Sequence, residues 1–205
     1  MKFSEANASL NFNLRENTGT RLIGLMRENK TATAQPNLIL TGFMGTGKSS
    51  VGRLLAHLWR RPFLDTDREI ERRTHRKIKD IFAEDGEAFF RNLECRCVDE
   101  WLPESGTIIA TGGGILTSPG MREKLRSRGV VITLFASPET IYARTRNGNR
   151  PLLQTEDPIA KIRELLAVRE KDYLHAGVGV LTDGRTMLDL AQNIARIYRR
   201  EIRTR

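Results

Sequence analysis

The sequence contains few of the residues on which several classes of protein depend. Only two of its 205 residues are cysteine, three are histidine, and 6% are aromatic. Cys95 and Cys97 lie in a predicted helix, where two residues of separation turn the side chains roughly 200° apart, so the pair cannot share a metal ion. The three histidines are too scattered along the chain to match the usual spacing of metal ligands. We therefore exclude a disulfide-stabilised fold and expect a reducing compartment.

Long apolar runs are also missing. The longest run, near Val130–Ala136, is far shorter than the roughly 20 residues that a membrane-spanning helix needs. The N-terminal segment lacks a basic start followed by an apolar stretch, and its glutamates (Glu5, Glu16 and Glu28) are unusual for an organelle-targeting peptide. We expect a soluble cytoplasmic protein with no membrane partner.

Basic residues outnumber acidic ones by 34 to 25, which gives a net charge of +9. Such a charge fits nucleic acid, a membrane surface or a small anionic substrate. One group of arginines lies where a phosphate site would need cations, at Arg144, Arg146 and Arg150. The other group is C-terminal, at Arg196, Arg199, Arg200, Arg203 and Arg205. We favour a solvated helix end for this second group and expect no nucleic-acid partner.

The chain divides into a polar extension over residues 1–35 and one domain over residues 36–205. We expect the extension to be flexible. In the domain, short apolar runs alternate with helical patterns. The strand candidates are Leu38–Leu40, Pro62–Leu64, Thr107–Ala110, Val130–Phe135 and Val178–Leu181. The helix candidates are 48–59, 67–74, 78–84, 86–101, 118–128, 138–146, 157–172 and 187–203. This alternation predicts an α/β fold whose five-stranded parallel sheet is flanked by helices and binds ligands at the carboxyl ends of its strands.

A glycine-rich turn closed by Lys48 and Ser49 follows the first strand candidate. Its glycines, Gly42, Gly45 and Gly47, let backbone N–H groups approach an anion closely. Lys48 would then reach the outer phosphates of a nucleoside triphosphate, and the Ser49 hydroxyl could bind Mg²⁺. The order of strand, glycine turn and helix predicts a phosphate-binding loop.

Two carboxylates, Asp65 and Asp67, follow the second strand candidate. In an extended stretch both would point to the same side. One could hold Mg²⁺ through water while the other accepts a proton from an attacking hydroxyl. The alternative is that Asp67 caps the helix that follows, and both can be true.

Three further segments are candidates for binding an acceptor. Arg91 and Glu94 are three apart in a helix, so Glu94 could orient the guanidinium toward a substrate carboxylate, although such pairs are usually surface ion pairs. The run Gly112–Gly114 directly follows a strand, which favours close approach of a ligand over a simple turn. Arg169 lies on a charged helix, where an arginine is normally just solvated.

A polar, basic segment at about residues 144–156 indicates a lid. Arg150 is the best candidate to reach a transferring phosphoryl group, because Pro151 restricts its backbone. A solvated basic loop is the alternative.

Taken together, these motifs resemble shikimate kinase in order and in spacing over about residues 37–200. The matching segments are Gly-Phe-Met-Gly-Thr-Gly-Lys-Ser, Phe-Leu-Asp-Thr-Asp, Gly-Glu-Ala-Phe-Phe-Arg-Asn-Leu-Glu, Thr-Gly-Gly-Gly, Asn-Arg-Pro-Leu-Leu and Arg-Glu-Lys-Asp-Tyr. The resemblance implies a three-layer P-loop kinase fold of the nucleoside-monophosphate-kinase type. It also implies a monomer that transfers the γ-phosphate of ATP to the 3-hydroxyl of shikimate with Mg²⁺, on the route to chorismate and the aromatic amino acids.

The resemblance also implies roles for individual residues. The phosphates of ATP would be held by Gly45, Thr46, Gly47, Lys48, Ser49, Ser50 and Arg150. Ser49 and Asp65 would serve the metal ion, while Lys48, Asp67 and Arg150 would act in catalysis. Shikimate would contact Asp67, Arg91, Gly113 and Arg169.

Other functions stay open at this point. A kinase of another small hydroxylated acid, such as gluconate, would need the same phosphate loop. A GTPase-like switch is disfavoured because the chain has no Asn-Lys-x-Asp guanine signature, and Asn29-Lys30 is followed by Thr-Ala. A basic nucleic-acid-binding protein that uses ATP is a third possibility.

Overall fold

The computed structural model describes residues 35–147, 153 and 155–205. Five strands form one parallel sheet in the order β2-β3-β1-β4-β5. The strands are β1 (Asn37–Gly42), β2 (Phe63–Asp65), β3 (Ile108–Ala110), β4 (Gly129–Phe135) and β5 (Val178–Leu181). All five strand predictions are confirmed to within three residues at each end, because each strand reads as a short apolar run bounded by polar or turn residues.

The helices of the described residues cover both faces of the sheet. They are α1 (Lys48–Trp59), α2 (Thr66–Thr74), α3 (Ile78–Glu84), α4 (Gly86–Arg96), α5 (Met121–Arg128), α6 (Pro138–Thr145), α7 (Pro158–Leu174) and α8 (Met187–Arg203). Within the described part of the chain no helix is both long and apolar enough to cross a bilayer.

Alternate residues of β1 divide the core into two halves. Leu38 and Leu40 belong to the cluster formed with α1 and α8, whereas Ile39 belongs to the cluster formed with α2, α4 and α7. All three side chains are fully buried. Since successive side chains of a strand point to opposite faces, a central strand apolar on both faces requires helices on both. The result is the predicted three-layer arrangement.

A buried arginine joins α8 to the start of the sheet. Arg61 donates hydrogen bonds to the carbonyls of Pro36 and Gly106 and to the hydroxyl of Tyr198, at 2.7, 2.8 and 3.0 Å. Its guanidinium also lies over the rings of Trp59 and Tyr198. The Tyr198 hydroxyl in turn donates to the Pro36 carbonyl at 2.5 Å. This cluster provides hydrogen-bond donors for backbone carbonyls near the amino ends of β1 and β3, at the opposite end of the sheet from the phosphate loop.

Two helix boundaries differ from the predicted ones by more than two residues. The α-helix expected over 86–101 ends at Arg96 and continues as a π-helical turn over Cys97–Trp101, where the N–H of Leu102 donates to the carbonyl of Cys97. The helix expected from residue 118 begins at Met121, because Gly120 immediately before it adopts a φ of 74°, outside the right-handed helical region. A 3-10 turn, Ile115–Thr117, precedes it.

Candidate active site

One cavity of about 800 Å³ opens at the carboxyl ends of the strands. Three segments that follow neighbouring strands contribute to its lining: the glycine loop after β1, the Asp65–Asp67 segment after β2, and the triple glycine after β3. Arg91 of α4 and Arg169 of α7 also line it. The structure therefore brings together in one cavity all the predicted site residues that it describes. Arg150 and its neighbours 148, 149, 151, 152 and 154 lie outside the described residues.

The loop after β1 has the geometry of an anion cradle. Gly47 has a φ of 98° and stands directly before α1, whose first N–H groups point toward the cavity end of the helix. A Cβ on Gly42 would lie 2.2 Å from the carbonyl oxygen of Leu134, so only glycine fits between β1 and β4. Lys48 is buried, and its Nζ donates to the carbonyls of Gly42 and Phe43, each at 2.7 Å. The lysine thus closes the loop on itself.

Ser49 and Asp65 form the predicted metal-binding pair. The Ser49 hydroxyl donates to Oδ2 of Asp65 at 2.8 Å. The helix cap is Asp65, whose Oδ1 accepts from the N–H of Arg68. Asp67 lies in the first turn of α2, so the prediction that it caps this helix is wrong, and it does not share an extended strand with Asp65. The helix begins one residue earlier than the sequence pattern indicated.

The chemistry of this pair suits Mg²⁺. A hydroxyl and a carboxylate are hard oxygen donors, and Mg²⁺ in nucleotide sites takes only one or two protein ligands together with phosphate oxygens and water. The described residues hold no cluster of three or more His, Cys, Asp or Glu side chains, which a dedicated all-protein metal site would need. Ser49 and Asp65 therefore fit an ion that arrives with its nucleotide.

Asp67 contacts the glycine turn after β3. The position that a Cβ would take on Gly112 lies 2.5 Å from Oδ1 of Asp67 and 3.0 Å from Oε1 of Glu94. The N–H of Gly112 donates to the hydroxyl of Thr66, which is fully buried beside Asp67 in the chain. Thr66, which the sequence analysis did not consider, thus fixes the turn relative to the start of α2.

Arg91 is held by two carboxylates of its own helix. Its Nη1 donates to Glu94 at 2.6 Å and its Nη2 to Glu87 at 2.7 Å. The Arg91 side chain is 18% exposed and that of Glu94 only 1%. Gly114 lies against the guanidinium, since a Cβ there would be 2.7 Å from Nη1. The pair is therefore a buried part of the cavity wall, unlike an ordinary surface ion pair.

Burial raises the pKa of Glu94 to about 7, although the guanidinium of Arg91 acts in the opposite direction. The negative charge of Asp67 also contributes to the rise, and the positive charge of Arg169 opposes it. Among the described residues the Glu94 Oε1 atom has no hydrogen-bond partner. Glu94 is almost completely buried, whereas the side chain of Glu87 is exposed. No short-range sequence pattern predicts this difference.

Arg169 and Tyr173 extend from one face of α7. The guanidinium of Arg169 lies 5.7 Å from the centre of the Phe43 ring in the phosphate loop. Tyr173 is 3% exposed, and its hydroxyl donates to the carbonyl of Gly113 at 2.5 Å. Tyr173 was not among the residues predicted from the sequence. The available signal was its spacing of four from Arg169, which places both side chains on the same side of the helix.

Arg144 represents the beginning of the predicted lid in the described structure. It lies at the end of α6 and donates to the carbonyl of Gly45 and the hydroxyl of Thr182, at 3.3 and 2.9 Å. The guanidinium therefore borders the phosphate loop, where the sequence analysis expected cations. The function of the segment at 144–156 as a lid stays a prediction.

Comparison with known proteins agrees with this arrangement. A family model described as "Shikimate kinase" matches residues 44–199. The shikimate kinase of Thiobacillus denitrificans is 52% identical over 138 residues, which cover 67% of this chain and 75% of that protein. The shikimate kinase of Thioalkalivibrio sulfidiphilus is 44% identical over 169 residues, covering 82% and 89% of the two chains.

Among solved structures, the shikimate kinase from Acinetobacter baumannii in complex with shikimate is similar to this chain with a TM-score of 0.76 and 40% identity. The match covers 82% of this chain and 95% of that one. The predicted P-loop kinase fold is thereby confirmed. The matched family region contains Gly45–Ser50 of the glycine loop, the carboxylates Asp65 and Asp67, and the cavity arginines Arg91 and Arg169. The chain belongs to the shikimate kinase family.

Proposed function

We propose that this chain transfers the γ-phosphate of ATP to the 3-hydroxyl of shikimate and so forms shikimate 3-phosphate and ADP. The observation that carries the proposal is a single cavity with a phosphate loop on one side and, opposite, a carboxylate and two guanidinium groups. A small polyhydroxylated acid requires this combination: cations for its carboxylate and an acceptor for a hydroxyl proton.

The ATP side is formed by Gly45–Ser50. Backbone N–H groups of the loop and of the first turn of α1 would bind the phosphates, with Lys48 at the outer ones. Ser49 and Asp65 would hold Mg²⁺, which when bound neutralises charge on the phosphate oxygens. Arg150 would add a cation from the lid. Closure of such a segment would also exclude water from the reacting groups.

The acceptor side has separate tasks for its residues. Arg91 and Arg169 would bind the carboxylate of shikimate, and the backbone at Gly113 would contact the ring. Asp67 would accept the proton of the 3-hydroxyl of shikimate. The oxygen of that hydroxyl would bond to the γ-phosphorus of ATP, while the bond from this phosphorus to the β,γ-bridging oxygen breaks. The proton then resides on Asp67, and ADP leaves with the bridging oxygen. We further propose that the chain acts as a cytoplasmic monomer on small molecules alone.

A parallel acceptor assay tests the proposed reaction. ADP release is measured with shikimate, gluconate, nucleoside monophosphates and no acceptor, first with Mg²⁺ and then with the ion chelated. We expect release to depend on shikimate and on Mg²⁺. Faster release with gluconate or a nucleotide would assign the chain a different acceptor, and release without any acceptor would indicate an ATPase.

Replacing Asp67 by Asn removes the proposed proton acceptor while keeping the size of the side chain. We expect kcat with shikimate to fall by at least about 10²-fold, the lower range for a lost general base. The control is Asp80→Asn, because Asp80 lies on α3 outside the cavity with its side chain 47% exposed. Near-normal turnover of Asp67→Asn would contradict the role.

Replacing Arg91 by Lys keeps the charge but loses the planar fork that binds a carboxylate through two N–H groups. We expect a raised KM for shikimate with little change in the KM for ATP. Arg96→Lys is the matched control on the same helix, since Arg96 is 57% exposed, pairs with Glu100 and lies outside the cavity. An equal rise of both KM values in Arg91→Lys would indicate misfolding instead.

The raised pKa of Glu94 makes stability depend on pH. Because its pKa is about 7 in the fold and about 4.5 in the unfolded chain, its contribution is fully present below about pH 4.5 and is lost as the pH rises toward 7. We expect the free energy of unfolding, relative to that of Glu94→Gln, to fall by about 2 kcal/mol between about pH 5.5 and 8. Urea unfolding of both proteins at each pH measures this difference in the free energy of unfolding. A difference that is the same at both pH values would contradict the raised pKa of Glu94.

A further inference from the structure

The carbonyl groups of the glycine turn after β3 are all occupied within the protein. Gly112 accepts from the N–H of Ile115, and Gly114 accepts from the N–H and the hydroxyl of Thr117. Gly113 accepts from the hydroxyl of Tyr173. The three bonds to Gly112 and Gly114 come from Ile115 and Thr117, directly after the turn. Within the described part of the chain, Tyr173 is therefore the carbonyl partner that comes from a distant element.

The N–H groups of the same turn show the opposite pattern. Among the described residues, no group accepts a hydrogen bond from the N–H of Gly113 or Gly114. Both residues line the cavity. Since a trans peptide holds its C=O and N–H antiparallel in one plane, the bond from Tyr173 to the Gly113 carbonyl also sets the direction of the Gly114 N–H.

Tyr173 also connects this turn to the second arginine of the cavity. Arg169 is four residues earlier on the same face of α7 and packs over Phe43 of the phosphate loop. A Cβ on Gly113 would lie 3.1 Å from the N atom of Met44, so the turn itself packs on that loop. α7 and the turn thus rest on adjacent residues of one loop, and the Tyr173 hydroxyl joins them directly.

We infer that Tyr173 is a positioning residue for the acceptor: its hydroxyl fixes the Gly113–Gly114 peptide and locks the glycine turn to the helix that carries Arg169. The inference rests on the proposed function, because it assigns the residue an effect on acceptor binding. Tyr173 does not itself line the cavity and acts through Gly113 and Arg169. Burial raises the pKa of Tyr173, so the phenol keeps the proton that it donates.

The chain offers a matched control in Tyr198. This second tyrosine is also fully buried and also donates to a backbone carbonyl at 2.5 Å, that of Pro36. It lies on α8 outside the cavity. Tyr173→Phe and Tyr198→Phe therefore each remove one buried phenol hydroxyl bonded to a carbonyl, and only the first removes a bond to a residue that lines the cavity. The Tyr198 hydroxyl also accepts from Arg61 at 3.0 Å, so its loss should lower stability at least as much.

The test compares both variants with the unaltered chain in steady-state kinetics and thermal unfolding. For Tyr173→Phe we expect the KM for shikimate to rise roughly 3- to 10-fold, the range for one lost hydrogen bond, with the KM for ATP unchanged. For Tyr198→Phe we expect a lower Tm with neither KM changed. If Tyr173→Phe lowers the Tm and leaves the KM for shikimate unchanged, the tyrosine is merely structural and the inference is wrong.

Hydrogen exchange provides a readout that does not depend on turnover. The amides of Ile115 and Thr117 close the turn, and we expect both to exchange faster in Tyr173→Phe than in Tyr198→Phe. If neither amide exchanges faster in Tyr173→Phe, the Tyr173 hydroxyl does not fix the turn, and the inference is wrong even if the KM for shikimate rises. If the unaltered chain does not phosphorylate shikimate, the proposed function fails, and exchange still decides whether the phenol holds the turn.

Discussion

The shape of the cavity depends on three glycines, Gly112–Gly114, which follow β3 after Thr111 and have no side chains. Gly112 makes room for Asp67 and Glu94, Gly113 for the backbone of the phosphate loop at Met44, and Gly114 for the guanidinium of Arg91. In each case the position of a missing Cβ lies between 2.5 and 3.1 Å from an atom of that neighbour. Three walls that come from different strands and helices therefore meet at one turn, and a methyl group at any of these positions would push one of them away.

This close meeting creates the electrostatic character of the site. Glu94 is almost completely buried beside Asp67, and two like charges in such surroundings are unfavourable unless cations balance them. Arg91 supplies a direct partner at 2.6 Å, and Arg169 acts from the facing helix. A bound substrate carboxylate would draw on the same two guanidinium groups. If Arg91 binds the acceptor as proposed, the protonation of Glu94 and the binding of an anionic acceptor would be coupled through Arg91.

The layout of the fold could be predicted from sequence because its signals are local. Each strand is a short apolar run, and glycine or proline marks many of the boundaries. The errors have local causes as well. Asp67 was one alternative for the cap of α2, because two aspartates stand two residues apart and both can cap a helix. The carboxylate that accepts from the helix N–H group is that of Asp65. The π-helical turn at Cys97–Trp101 has no signature in a pattern that reads as continuous helix.

The residues of the site also fall into two groups, those with a local signal in the sequence and those without one. The phosphate loop could be found from its own residues, since one short segment supplies the turn, the lysine and the hydroxyl. Arg169 could not, because a single arginine on a charged helix has the pattern of a solvated residue. The position of Arg169 depends on the packing of α7 against the glycine turn. Tyr173 of the same helix contributes to this packing, since its hydroxyl donates to the carbonyl of Gly113, 60 positions away in the chain. What distinguishes the two arginines of the wall from the many on the surface is therefore long-range contact: Arg91 through Glu94 and Gly114, and Arg169 through Phe43 and its neighbour Tyr173.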